Sequence, residues 1–359
     1  MMLQKHRGGK DIGVHLMAGF QGTTLEEELK FLIRDFHVGG VVIFKRNVES
    51  PEQLRALLEE AQQCALEEMG RPLWVAVDQE GGPVQRLVPP FLQLPSASDL
   101  ANQGPKAISQ WSARAACELR KIGIHINLAP VLDVVPEGKP HFMAERSLGS
   151  DPRQVAQLGR IWVKTLQKKG ISATGKHYPG LGGATLDPHH YAPVIRWEND
   201  EAMEKDLLPF RRVIRAGVRC IMTSHALYPT LDGNWPATLS PIINHEWLRN
   251  RLGFQGILFS DDMDMAAVCE HHSFEEMARQ GMLASIDFFL FCQKTPNIQL
   301  FHQVLVGAVE RDGNMADLHR RSLERMAHFG SLMAQCNGPA HEAVGLSSPL
   351  LQKGDIKGF

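Results

Sequence analysis

Short apolar runs rich in Val, Ile and Phe alternate along this chain with longer stretches in which apolar residues recur every three or four positions. The runs are IGVHLMA from Ile12, VGGVVIF from Val38, PLWVAVD from Pro72, GIHINLAPVLDV from Gly123, ISATGKH from Ile171, CIMTSHA from Cys220, GILFSDD from Gly256 and IDFFLF from Ile286. Each reads as a strand buried on both faces, the pattern of a parallel sheet. The segments between them, from TLEEELKFLIRDF to IQLFHQVLVGAVERD, have helical spacing. Ser50-Pro51 and Asp151-Pro152 each set a capping side chain before a proline that a first helical turn tolerates.

Eight such strands, each followed by a helix, predict an α/β fold: a (β/α)8 barrel of TIM type forming a single domain over residues 1–335. One more helix from Ala316 to Ala334 is expected to pack on the barrel, and residues 336–359 read as a C-terminal tail. A doubly wound sheet is the alternative. It normally has fewer strands and a glycine fingerprint after the first, which MAGFQGTT does not supply.

In a barrel of this type the chemistry sits at the C-terminal ends of the strands. Asp78 ends the third run, Asp133 the fourth, Lys176 and His177 the fifth, Ser224 and His225 the sixth, and Asp261 and Asp262 the seventh, so all should meet at one mouth. The segments 79–95, 135–150 and 178–198 are long for strand-to-helix connections and read as binding loops or lids.

Composition narrows the partners. The chain of 359 residues is 43% hydrophobic and 22% charged, with 38 basic against 40 acidic residues and no basic stripe, which argues against nucleic acid. Its six cysteines are scattered without a C-x-x-C pair and read as free thiols in a reducing compartment, so a cytoplasmic location is expected. The apolar run near the N-terminus is too short for a membrane span and lacks a clear cleavage site. A monomer with no cofactor is expected.

The candidate chemistry concentrates in KHYPGLGGATLDPHHYAP, residues 176–193. As a phosphate cradle, PGLGG lacks the G-K-[ST] ending and an immediate helix. As a metal site, His177, His189, His190, His225 and Asp261-Asp262 could converge on zinc, but the first strand lacks the H-x-H pair of metal-dependent barrel hydrolases, and no metal is expected. As a proton-transfer device, Asp187 lies two residues from His189 and can fix its tautomer, while Asp261 is a carboxylate held on a strand tip. A fixed carboxylate opposite a proton donor suits a retaining glycosidase.

Five segments carry a family resemblance. VAVDQEGGPVQRL (75–87), INLAPVLDV (126–134), AERSLGSDP (144–152), GKHYPGLGGATLDPHH (175–190) and GFQGILFSDDMDM (253–265) resemble, in order and spacing, the motifs of glycoside hydrolase family 3, and within it the single-domain bacterial β-N-acetylglucosaminidases. The resemblance implies Asp261 as nucleophile, His189 as general acid/base and Asp187 as its partner. It implies Asp78, Arg86, Arg146, Lys176 and His177 as the residues that bind the sugar. It also implies a substrate bearing terminal β-linked GlcNAc, notably muropeptides of cell-wall recycling.

Two positions depart from the family pattern. Leu181 stands where the family usually has His in P-G-H-G, and Pro188 stands where it has Ser in D-S-H. A proline fixes φ and removes an N–H, so a stiffer loop is expected, with the glycines of PGLGG as its hinges. Phosphorolysis, a β-glucosidase and a non-catalytic sugar-binding barrel are the competing readings. His15, His125 and His225 read as core or rim histidines, Asp262 as a backbone-bonding carboxylate, and Asp133 as the partner of a sugar-binding Arg or Lys.

Overall fold

The computed structural model describes residues 11–138, 140–184 and 193–337. Eight parallel strands close into a barrel in sequence order: Leu16–Ala18, Gly40–Ile43, Trp74–Val77, Ile126–Asn127, Ser172–Tyr178, Cys220–Thr223, Ile257–Asp262 and Phe288–Phe291. The last pairs with the first in the register Met17 to Leu290, so the sheet has no free edge. Seven of the eight apolar runs contain one of these strands, and the run from Ile171 contains all of strand five but Tyr178. The first strand is shorter than its run because Ile12–His15 forms a 3₁₀ turn ahead of it.

Helices Glu27–Arg34, Pro51–Met69, Pro105–Ile122, Pro152–Lys168, Asp200–Arg215, Phe274–Leu283 and Thr295–Arg311 wrap the barrel, and Ile242–Arg251 is wound in the wide π form. The two proline-headed starts behave as their chemistry requires: Ser50 Oγ accepts the Gln53 N–H at 3.1 Å and Asp151 Oδ1 the Arg153 N–H at 2.9 Å. The long helix Gly313–Asn337 contains the expected Ala316–Ala334 stretch.

Inward side chains from alternate strands stack in layers. Val42, Met222 and Leu290, from strands two, six and eight, and Leu128, just past strand four, belong to the cluster filling the barrel, with Ala76, Ile126, Phe259 and Phe288 among their neighbours. The same cluster takes in Met326, Phe329 and Met333, so the C-terminal helix plugs the N-terminal end of the barrel.

That end is pinned by one buried carboxylate. Asp287 Oδ2 meets Arg249 Nη2 at 2.8 Å and accepts the Leu258 N–H at 2.9 Å, while Oδ1 takes Arg325 Nη2 at 2.8 Å and the Ser322 hydroxyl at 2.6 Å. His15 is wholly buried there, with Nδ1 against the Asp287 carbonyl and Nε2 against His319 Nδ1. Burial, with His319 beside it, lowers its pKa to about 4. It is a neutral core histidine.

Candidate active site

At the opposite mouth, two strands break register where the polar residues sit. Strand five slips against strand six between Gly175 and Tyr178, and strand seven slips against strand eight between Phe259 and Asp262. Such irregularities re-aim side chains at barrel rims. The first turns Lys176 and His177, and the second Asp261, toward a cavity of about 610 Å³. Its floor is the apolar layer of Val42, Leu128, Met222 and Leu290.

One wall is a connected charge cluster. Lys176 Nζ lies 2.8 Å from Asp78 Oδ1 and 2.7 Å from Glu80 Oε1. Arg86 Nη2 reaches Asp78 Oδ2 at 3.2 Å. Arg146 grips Glu80 with two bonds of 2.8 Å, the fork geometry that makes Arg a strong carboxylate partner. Burial alone would raise both carboxyls, but Lys176 and Arg86 hold Asp78 well below the usual carboxylate range, and Lys176 and Arg146 bring Glu80 down to about 2. Burial in turn would lower Lys176, yet Asp78 and Glu80 raise it above an ordinary lysine. The cluster is thus fully ionised at neutral pH, with three cations against two anions.

His177 is held differently. The buried Asp133 accepts its ring Nδ1–H at 2.7 Å and its backbone N–H at 3.1 Å, and the Leu181 N–H at 2.7 Å. Asp133 was expected to pair with a sugar-binding Arg or Lys. Its partner is instead this histidine, while Lys176 and Arg146 are engaged by Asp78 and Glu80.

Asp261 lines the same cavity from the end of strand seven and is partly exposed there. Its Oδ1 accepts the Asp262 N–H at 2.9 Å. Burial raises its carboxyl, but His177 and His225 nearby, that N–H and Lys176 outweigh it, so the pKa falls below the ordinary value. His225 is itself pushed down by burial. Its Nε2 donates to the Asp262 carbonyl at 2.9 Å, and its Nδ1 meets Thr238 Oγ1 at 2.9 Å.

Asp262 bonds backbone as expected, its Oδ1 accepting the N–H groups of Asp264 at 3.0 Å and Cys292 at 3.1 Å. Burial and the neighbouring Asp264 and Asp261 nevertheless raise its pKa to about 7.

The structure brings Asp78, Arg86, Arg146, Lys176, His177 and Asp261 to one cavity. Asp187 and His189 lie outside the described residues, as do Pro188 and His190. Among the described residues no group of three His, Cys, Asp or Glu side chains is placed to hold a metal ion, and His189 and His190 of the zinc set lie outside them.

Two features differ from the sequence reading. Glu80 is a full member of the cluster, although only Asp78 and Arg86 were singled out in that block. Two glycines of PGLGG, expected as hinges, are also closely packed: a Cβ on Gly182 would stand 1.9 Å from the Val134 carbonyl oxygen, and one on Gly180 would stand 2.7 Å from Asp206 Cβ. Leu181 is buried between them and lines the cavity.

A closed parallel barrel whose mouth carries a fixed carboxylate beside a cradle of Lys, Arg and Asp groups defines a (β/α)8 glycoside hydrolase. The chain belongs to glycosyl hydrolase family 3, matching the family's N-terminal domain over residues 11–327. It is 38% identical over 285 residues to a beta-hexosaminidase of Alkalilimnicola ehrlichii, covering 77% of this chain and 80% of that protein. Among solved structures it is similar to a family 3 beta-N-acetylglucosaminidase from Paenibacillus sp. str. FPU-7, with a TM-score of 0.86, 31% identity, and coverage of 99% of this chain and 66% of that one. It is also similar to NagZ from Neisseria gonorrhoeae, with a TM-score of 0.74, 31% identity, and coverage of 93% and 98%. Among the described residues no helix is long and apolar enough to cross a membrane.

Proposed function

We propose that this protein is a retaining β-N-acetylglucosaminidase that removes terminal non-reducing β-linked GlcNAc, with muropeptides of cell-wall recycling as its substrates. The observation that carries the reading is Asp261, an ionised carboxylate lining the same cavity as a prearranged sugar cradle. Relatives named for the same activity support the choice of sugar.

In the first step Asp261 attacks the anomeric carbon while the bond to the leaving oxygen breaks, and His189, oriented by Asp187, gives that oxygen its proton. In the second, water attacks the same carbon, yields its proton to His189, and frees Asp261. Asp78 and Glu80 hold Lys176, Arg86 and Arg146 as fixed donors around the sugar, and His177 adds a contact from strand five. The barrel with its C-terminal helix, residues 1–335, is the unit that works, as a cytoplasmic monomer.

Water is favoured over phosphate as the attacking group because Asp264 and Glu270 line the same cavity as Asp261 and would repel an incoming anion. The test compares an aryl β-GlcNAc with an aryl β-glucoside, with and without phosphate, for wild type, Asp261→Ala and His189→Ala. Preferential hydrolysis of the GlcNAc compound, lost in Asp261→Ala, supports the reading. Preference for the glucoside, or a GlcNAc 1-phosphate product, overturns it.

A further inference from the structure

We propose that Asp133 is a positioning residue that keeps a proton on Nδ1 of His177 and so presents Nε2 to the cavity as an acceptor. The proposal rests on the reading above in taking His177 as a sugar contact.

Asp133 is fully buried in the segment that follows strand four, with three N–H groups converging on its carboxylate. Two come from the backbone: Oδ1 accepts the His177 N–H at 3.1 Å and the Leu181 N–H at 2.7 Å. The third is the ring, with Nδ1 at 2.7 Å from Oδ2. An ionised carboxylate only accepts, so the ring nitrogen facing it must carry the proton. With Nδ1 protonated, the tautomer of the uncharged ring carries its lone pair on Nε2, at the far edge of a ring that lines the cavity.

That lone pair has a use. The neighbouring Lys176, Arg86 and Arg146 side chains can only donate, while Asp78 and Glu80 already accept from them. A sugar hydroxyl that must donate as well as accept finds an acceptor at Nε2. The same carboxylate ties down Leu181, so the ring and the first turn of the following segment share one anchor.

Asp133→Asn separates positioning from folding. The amide oxygen can take the place of Oδ1 and keep both backbone bonds, which puts the NH₂ group against Nδ1. A donor there forces Nδ1 to accept, and the proton moves to Nε2. The acceptor facing the cavity becomes a donor.

The experiment uses the full chain labelled with ¹⁵N-histidine, with the His177 ring assigned by its loss in His177→Gln. In wild type the ring should be protonated on Nδ1, and in Asp133→Asn on Nε2. With an aryl β-GlcNAc, Asp133→Asn should raise KM by at least about tenfold, the scale of a lost or reversed hydrogen bond. In the His177→Gln background the same substitution should change KM less than about twofold, as expected when one residue acts through the other. A wild-type ring without a proton on Nδ1 overturns the proposal, and that spectrum decides even if the variant does not fold. A lowered kcat with unchanged KM, or an equal KM cost with and without the His177 ring, also overturns it. The ring proton is read without substrate, so failure of the GlcNAc activity is a separate result.

Discussion

Arg146 holds Glu80 through two parallel hydrogen bonds, Nε to Oε2 and Nη2 to Oε1, both at 2.8 Å. The pair joins the segment after strand four to the segment after strand three, and Glu80 passes the constraint to Lys176 on strand five. Two loops and a strand end at the mouth are thereby locked together before any sugar arrives, the preorganisation that fixed electrostatic sites require.

Glu80→Ala should break this chain at its centre. It leaves Arg146 without a carboxylate and Lys176 with Asp78 alone, in a site where Glu80 is 2% exposed. Removing one partner of a buried pair costs about 3–5 kcal/mol, and kcat/KM should fall by about 10²-fold or more as the donors lose their aim. Denaturant unfolding and steady-state kinetics check both.

Acid stability should follow the same residue. The folded pKa of Glu80, about 2, lies below its unfolded value of 4.5. Its contribution is therefore present above pH 4.5 and lost as pH falls toward 2. Between these limits wild type should lose stability on acidification faster than Glu80→Gln, as read from unfolding midpoints across pH.

Asp262 should show the opposite slope. Its folded pKa of about 7 exceeds the unfolded value of 3.8, so the folded state keeps a proton that the unfolded chain has released. Stability should fall as pH rises through that window. Asp262→Asn can keep an oxygen acceptor for the Asp264 and Cys292 N–H groups, and should flatten this fall while sparing turnover. Thermal midpoints at pH 5 and pH 8 for both proteins are the measurement.

Arg325→Leu tests the other end of the barrel. Asp287 keeps Arg249, Ser322 and the Leu258 N–H, so the expected loss is about 1–3 kcal/mol, not collapse. KM should not change, because this carboxylate pins the C-terminal helix and lies away from the cavity.

The barrel was legible in the sequence because parallel strands covered on both faces must be continuous apolar runs, and eight of them leave few topologies. The strand-tip residues Asp78, Lys176, His177 and Asp261 were legible for the same reason, since the fold fixes which end carries chemistry. Partnerships across the mouth were not. Glu80 acts through Arg146, 66 residues away, and nothing local announces the pair. One signal was available: in an extended segment Asp78 and Glu80, two apart, face the same way. The pairing of Asp133 with His177 depends on where strand five breaks register, which depends on packing against strand six. The glycine close to Val134 answers to the close approach of a neighbouring loop, which no local pattern announces.

The central claim is that Asp261 carries the sugar between the two steps. The direct measurement is mass spectrometry of the protein incubated with a fluorinated aryl β-GlcNAc analogue that slows release of the intermediate, followed by peptide mapping. One glycosyl adduct is expected, on the peptide containing Asp261, and none in Asp261→Asn. An adduct on another residue, or turnover without an adduct and with an inverted anomeric product, would contradict that claim.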